Sequence, residues 1–156
     1  MKFLKFVSRT FSSFFGIGFS PVAPGTAGSI VGVVVWYLMP YKTLKIRIPI
    51  LLLLIILAII SSSFEEKNSK LKDPSYVVID EVIGVWLLII ITGCVHLNKN
   101  YMKLFVAFIL FRIFDVIKVP PINYVEKVKG GFGIVFDDLI ACIYAGILTN
   151  IIFLIL

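Results

Sequence analysis

Carboxylates are concentrated in the parts of this sequence where charge is most costly. Five of the nine acidic residues lie in or beside long apolar stretches: Asp80, Glu81, Asp115, Asp137 and Asp138. A charge at the centre of a membrane helix costs about 2.5–3.5 kcal/mol, and less near the helix end. Four of these residues form two adjacent pairs, whose like charges repel unless a cation lies between them. The pattern therefore predicts a metal site.

The available ligand types narrow the choice of metal. Oxygen donors without a cluster of histidine or cysteine favour magnesium or manganese over zinc, and His96 is the sole histidine. We predict Mg²⁺ as the cofactor. The predicted ligands are Asp80, Glu81, Asp137 and Asp138, with Asp115 as a further catalytic carboxylate. For a single carboxylate, a solvated helix start stabilised by the helix dipole is the alternative.

Basic side chains near Asp115 are candidate phosphate contacts. Arg112, Asp115 and Lys118 follow one another at intervals of three residues, so neighbours in the series share one helical face. We predict that Arg112 and Lys118 bind phosphate oxygens. For Arg112 the alternative is a structural role, in which it only neutralises Asp115.

Two glycine-rich segments are further candidates for substrate binding. Residues 16–29 predict a tight turn followed by a helix that opens at Thr26, where free N–H groups could bind an anion. Gly25 and Thr26 are therefore candidate contacts, although the segment could be a turn and nothing more. Gly130 and Gly131 would likewise let the backbone approach a ligand just before Asp137.

Five apolar stretches must position these residues, and we expect them to be helices of one domain covering residues 1–156. They comprise residues 26–39, 46–63, 77–95, 101–117 and 133–156. Lipid leaves an isolated segment no other way to satisfy its backbone, and the stretches lack the alternation of a barrel strand. A span needs about 20 residues, so the second, third and fifth stretches suffice alone. The prediction is an all-α integral membrane bundle of about five helices.

An up-and-down arrangement of these helices would bring all five carboxylates to one end of the bundle. That end also carries nine basic residues, against five at the other end, and by the positive-inside rule it faces the cytoplasm. The nine are Lys2, Lys5, Arg9, Lys67, Lys70, Lys72, Lys118, Lys127 and Lys129, and the five are Lys42, Lys45, Arg47, Lys99 and Lys103.

Bulk composition supports a membrane protein. Hydrophobic residues make up 60% of the chain, whereas soluble domains have an apolar content of roughly 45–50%. The mean hydropathy is correspondingly high, at +1.05. The net charge of +6 is dispersed between apolar runs, which argues against nucleic acid and favours anionic lipid as a partner. Cys94 and Cys142 lie in separate apolar runs and are expected to be buried thiols.

Four sequence blocks resemble those of the phosphatidylglycerophosphatase A family, in the same order and spacing. They are GIGFSPVAPGTAGS at 16–29, DPSYVVIDEVIG at 73–84, FRIFDVIKVPPI at 111–122 and GGFGIVFDDLIA at 130–141. The resemblance covers nearly the whole chain. Val119 and Cys142 depart from the pattern at positions where proline and glycine are common, which affects local helix geometry and no charged group.

The resemblance implies an all-helical, magnesium-dependent phosphatase of the bacterial inner membrane, with a fold shared by a soluble relative group. Its substrate would be the phospholipid phosphatidylglycerophosphate and its product phosphatidylglycerol. No motif of a covalent phosphatase mechanism is present, so we expect attack by a metal-activated water. Two alternatives remain, a small transporter or channel and a lipid-binding protein without catalytic activity.

Overall fold

Helices account for all regular structure in the part of the chain that the computed structural model describes, residues 2–40, 43–96 and 101–155. The all-α prediction is confirmed for these residues. They form a short 3₁₀ turn, Ile17–Phe19, and seven α-helices: α1 Lys2–Ser12, α2 Pro24–Leu38, α3 Leu44–Ser69, α4 Ile79–Thr92, α5 Tyr101–Ile117, α6 Ile122–Val125 and α7 Gly131–Ile155.

The five predicted stretches correspond to α2, α3, α4, α5 and α7, whereas α1 and α6 were not predicted. The third stretch forms a shorter helix than expected. α4 has 14 residues and is capped by the following residue, Gly93, which has a φ of 72° and whose N–H donates to the carbonyl oxygens of Ile89 and Ile90. At about 1.5 Å per residue it is too short to span a bilayer alone, so that part of the prediction was wrong.

The core is built around α4, which is buried along most of its length. It packs against α2 on one side and α7 on the other, while α5 packs on α7. Close approach of α4 and α7 depends on two glycines. A Cβ on Gly84 would lie 2.9 Å from the Cys142 Sγ, and one on Gly146 would lie 2.5 Å from Ile91 Cγ2. The space above Gly84 thus accommodates the cysteine at position 142.

Two helices, α3 with 26 residues and α7 with 25, are long and apolar enough to cross a membrane by length and composition. α3 presents a row of exposed apolar side chains, among them Leu52, Leu53, Ile56 and Ile60. Large apolar patches of this kind are rare on soluble monomers. α2, α4 and α5 are shorter than the usual span of about 20 residues.

Candidate active site

One pocket of about 260 Å³ collects all five predicted carboxylates. The start of α2, the loop before α4, the first turn of α4, the end of α5 and the second turn of α7 form its wall. Its lining includes Gly25, Asp73, Ser75, Asp80, Glu81, Arg112, Asp115, Lys118, Asp137 and Asp138. The helices thus bring together residues from four separate sequence segments.

Three carboxylates within the pocket form a close cluster. Asp80, Glu81 and Asp138 each offer an oxygen within 4.8 Å of the oxygens of the other two. One buried oxygen of each residue, Oδ1, Oε2 and Oδ2 respectively, has no hydrogen-bond partner. Buried anionic oxygens without a partner are costly. Hard oxygen donors in this arrangement fit a divalent cation such as magnesium.

Asp137 lies in the same pocket but makes a different interaction. Its Oδ2 accepts a hydrogen bond of 2.9 Å from the Lys118 ammonium, which also forms a 3.1 Å ion pair with Glu126. Burial alone would lower the pKa of Lys118, but the hydrogen bond and charge of Asp137, followed by those of Glu126, raise it overall. Lys118 therefore stays protonated, and Asp137 is its partner in this structure.

Arg112 and Asp115 occupy the α5 side of the pocket as an ion pair, with Nη1 and Oδ2 3.3 Å apart. Gly25 lies opposite. A Cβ on Gly25 would meet Glu81 Oε1 at 2.1 Å and Arg112 Nη2 at 3.2 Å. An added methyl group would displace the ends of these two side chains, so glycine lets the start of α2 lie against both of them undisturbed.

Charge balance shows what the pocket can hold. Its six carboxylates and two cations, Arg112 and Lys118, leave a formal charge of −4 when all are ionised. A phosphate group would be repelled by such a site unless further positive charge accompanied it. The pocket is suited to a phosphate bound together with a divalent cation.

Comparison with known proteins identifies the family. The sequence pattern described as phosphatidylglycerophosphatase A matches residues 10–153, which include every residue that lines the pocket. This chain belongs to the phosphatidylglycerophosphatase A family. It is a phosphoric monoester hydrolase.

Relatives named as phosphatidylglycerophosphatase A occur in two bacteria. The Escherichia coli protein is 33% identical over 86% of this chain and 77% of its own length. The Haemophilus influenzae protein is 33% identical over 86% of this chain and 82% of its own length. A Bacteroides thetaiotaomicron protein named as a candidate phosphatidylinositol-3-phosphatase is 36% identical over 97% of this chain and 96% of its own length. No solved structure matches the chain significantly.

One of the six carboxylates that line the pocket, Asp73, was not predicted from the sequence. Asp73 lies within the second sequence block, seven residues before Asp80, and lines the pocket from an exposed loop. Its pKa is raised to about 7, first by desolvation and then by the charges of Asp137 and Glu81. The other five carboxylates were predicted because they interrupt apolar sequence. Asp73 does not lie within an apolar run, so this pattern could not identify it.

Among the described residues, three of the six non-glycine residues with left-handed backbone line the pocket. Ala23, Asp73 and Lys118 have φ values of 44°, 49° and 50°, a region that non-glycine residues seldom adopt. Each of the three lines the pocket. Such strain commonly clusters at functional sites, where the surrounding structure holds it in place.

The predicted helix opening at Thr26 was wrong. α2 begins at Pro24, with Ala23 as its N-cap and no side-chain cap. Proline suits this first position because it needs no N–H partner and its φ is already helical. Thr26 therefore lies inside the first turn and does not line the pocket, whereas Gly25 does.

Gly130 and Gly131 lie against α3 and do not line the pocket. The Gly130 N–H donates to Glu66 Oε2 and the Gly131 N–H donates to Ser63 Oγ, both at 2.7 Å. A Cβ on Gly131 would lie 2.1 Å from the Ile59 carbonyl oxygen. These N–H groups are thus occupied, and the structure gives the two glycines a helix-packing position in place of the predicted phosphate contact.

α3 side chains cap the start of α7, an interaction between distant segments that sequence reasoning did not find.

Proposed function

We propose that this protein removes the terminal phosphate of phosphatidylglycerophosphate, giving phosphatidylglycerol and inorganic phosphate. The observation that carries the proposal is the cluster of Asp80, Glu81 and Asp138 beside two basic side chains. Family membership and the two relatives named for this activity support the choice of substrate.

Asp80, Glu81 and Asp138 would hold Mg²⁺, because each has a buried oxygen that lacks a partner. When bound, the ion would neutralise phosphate charge and acidify a bound water. Asp137, which sequence reasoning placed among the ligands, would instead hold Lys118 in position through their 2.9 Å hydrogen bond.

The remaining charged groups would bind and orient the reactants. Lys118 and Arg112 would donate hydrogen bonds to the non-bridging phosphate oxygens, because both side chains are cationic and both line the pocket. Asp115 would accept a proton from the attacking water. A bond would form between the water oxygen and phosphorus as the ester bond breaks, and the proton accepted by Asp115 would pass to the leaving lipid oxygen, which departs as the alcohol. No covalent intermediate with the protein is required.

A membrane location follows from the same proposal. α3 and α7 would cross the bacterial inner membrane and the pocket would open to the cytoplasm, where basic residues are the more numerous. Among the described residues, the carboxylates gather at one end of the bundle and do not follow the length of the helices. This arrangement favours a surface enzyme over a transporter or channel, whose polar groups should cross the bilayer depth.

The deciding assay uses purified protein in detergent, with and without magnesium, on three lipids. Phosphatidylglycerophosphate should release phosphate only with magnesium, whereas phosphatidic acid and phosphatidylinositol 3-phosphate should be poor substrates. Preference for the inositol lipid would replace the proposed substrate with the one for which the Bacteroides thetaiotaomicron relative is named. Binding without turnover would support a non-catalytic lipid-binding protein, and liposome flux without phosphate release would support a transporter.

A further inference from the structure

An apolar groove of about 410 Å³ runs between α2 and α5 on the outer surface of the bundle. Its walls include Ile30, Val33 and Val34 from α2 and Leu104, Phe105 and Phe108 from α5. Ile30, Val34 and Phe105 are about half exposed or more, so the groove is open along its side.

The groove lies near the acidic pocket, because the same two helices contribute residues to both. α2 contributes Gly25 to the pocket and Ile30 to the groove, five residues or about 7.5 Å further along the axis. α5 contributes Arg112 to the pocket and Phe108 to the groove, four residues or about 6 Å apart. The charged pocket and the apolar groove thus lie within about two helical turns of each other along both helices.

A second apolar groove, about 350 Å³ in volume, lies between α1 and α3. Leu4 and Val7 line it on one side, and Leu57 and Ile60 on the other. Neither α1 nor α3 contributes a residue to the lining of the acidic pocket. Of these two grooves, the α2–α5 groove is therefore the one near a phosphate that occupies the pocket.

We propose that the α2–α5 groove binds an acyl chain of the lipid whose phosphate lies in the acidic pocket. This inference rests on the proposed function, since it takes the substrate to be a phosphate monoester joined to a diacyl lipid. The phosphate is held by charge at one end, and the chain is held by contact with α2 and α5 at the other. The groove thereby selects for substrates with long chains.

The test compares two exposed aliphatic positions, one in each groove. Val34→Trp would fill the α2–α5 groove, and Ile60→Trp would fill the α1–α3 groove as the matched control. Each variant is assayed with magnesium on dioleoyl and on dihexanoyl phosphatidylglycerophosphate. We expect Val34→Trp to raise KM for the dioleoyl lipid by about tenfold, with kcat and the dihexanoyl reaction nearly unchanged. Ile60→Trp should resemble the wild type on both.

Photolabelling provides a measurement that does not depend on a folded variant. A phosphatidylglycerophosphate with a diazirine in its acyl chain is bound to the wild-type protein and irradiated, and the labelled peptides are identified. Label on α2 and α5 is expected. Label confined to α1 and α3, or an equal effect of Val34→Trp on both chain lengths, would overturn the inference. If the wild type hydrolyses neither lipid, the proposed function fails, while the labelled peptides still report where the chain binds.

Discussion

Neighbouring aspartates in α7 have different surroundings, although their sequence positions suggest one shared role. Asp138 belongs to the cluster with Asp80 and Glu81, whereas Asp137 bonds to Lys118. An amide at either position keeps the shape of the side chain and removes its charge. The two substitutions therefore separate metal binding from the positioning of the basic residue.

Asp138→Asn should lower magnesium-dependent phosphate release by about 100-fold or more, because even outer partners of metal sites are worth about 10–100-fold. Excess magnesium should restore part of the activity. Asp137→Asn should leave the magnesium dependence near wild type and raise KM for the lipid by about tenfold, equivalent to about 1.4 kcal/mol of binding. Magnesium titrations of both variants check this. Full activity of Asp138→Asn would remove that residue from the scheme.

Gly25→Ala tests the contact between α2 and the charged groups. The new methyl group would meet the Glu81 carboxylate and the Arg112 guanidinium, and a displacement of about 1 Å can cost about 100-fold in rate. Thr26→Ala, in the same helical turn, should change the rate by no more than about twofold. Rate and thermal unfolding are measured for both. A fully active Gly25→Ala variant would show that the Glu81 and Arg112 side chains can move aside without loss of function.

Asp73 should make the stability of the metal-free protein depend on pH. Its pKa rises from 3.8 to about 7 on folding, so the folded state binds the proton more tightly. The free energy of unfolding should therefore fall as pH increases from about 4 to about 7. Desolvation, Asp137, Glu81 and Asp115 raise this pKa, and Lys118 lowers it. The exposed position of Asp73 lets solvent screen part of the effect.

Thermal unfolding in detergent with a chelator, at about pH 5 and about pH 8, measures the slope. Asp73→Asn should make the slope shallower, whereas Ser75→Ala, a neutral change in the same loop, should leave it unchanged. Identical slopes for Asp73→Asn and the wild type would show that this carboxyl has an ordinary pKa.

At the scale of elements, hydrophobicity predicted the five longer helices, since burial and lipid both require apolar runs. It could not predict α1, in which Lys2, Lys5 and Arg9 interrupt the apolar residues. Nor could it place the start of α2, where Pro24 rather than Thr26 sets the boundary. The pocket carboxylates were recognisable because they interrupt apolar sequence. Asp73 and the cap from α3 to α7 depend on tertiary contacts that no local pattern encodes.

The cap provided by α3 should stabilise α7, because Ser63 and Glu66 accept the N–H groups of Gly131 and Gly130. Replacing both residues with alanine should lower the free energy of unfolding by about 1–3 kcal/mol. Asn68→Ala is the control, since Asn68 donates to Phe64 within α3 itself. Thermal unfolding in detergent compares the variants. Equal stability of the double variant and the wild type would show that the cap contributes nothing.

At the scale of the whole molecule, the pocket and the opposite end of the bundle should face different compartments. Lys72 lies in the exposed loop that leads to the pocket, and Thr43 is exposed at the start of α3, at the other end of that helix. α3 has 26 residues, about 39 Å at 1.5 Å per residue, which exceeds a hydrocarbon core of about 30 Å. If α3 crosses the membrane, these two positions lie on opposite sides.

Single cysteines at the two positions test this topology, because the native Cys94 and Cys142 are buried. In spheroplasts, a membrane-impermeant maleimide should label Thr43→Cys and leave Lys72→Cys unlabelled until the membrane is opened. Residual activity of each variant serves as the control for folding. Labelling of both positions in intact spheroplasts would mean that α3 does not separate the two compartments. The reverse pattern would place the pocket outside the cytoplasm and contradict the proposed topology.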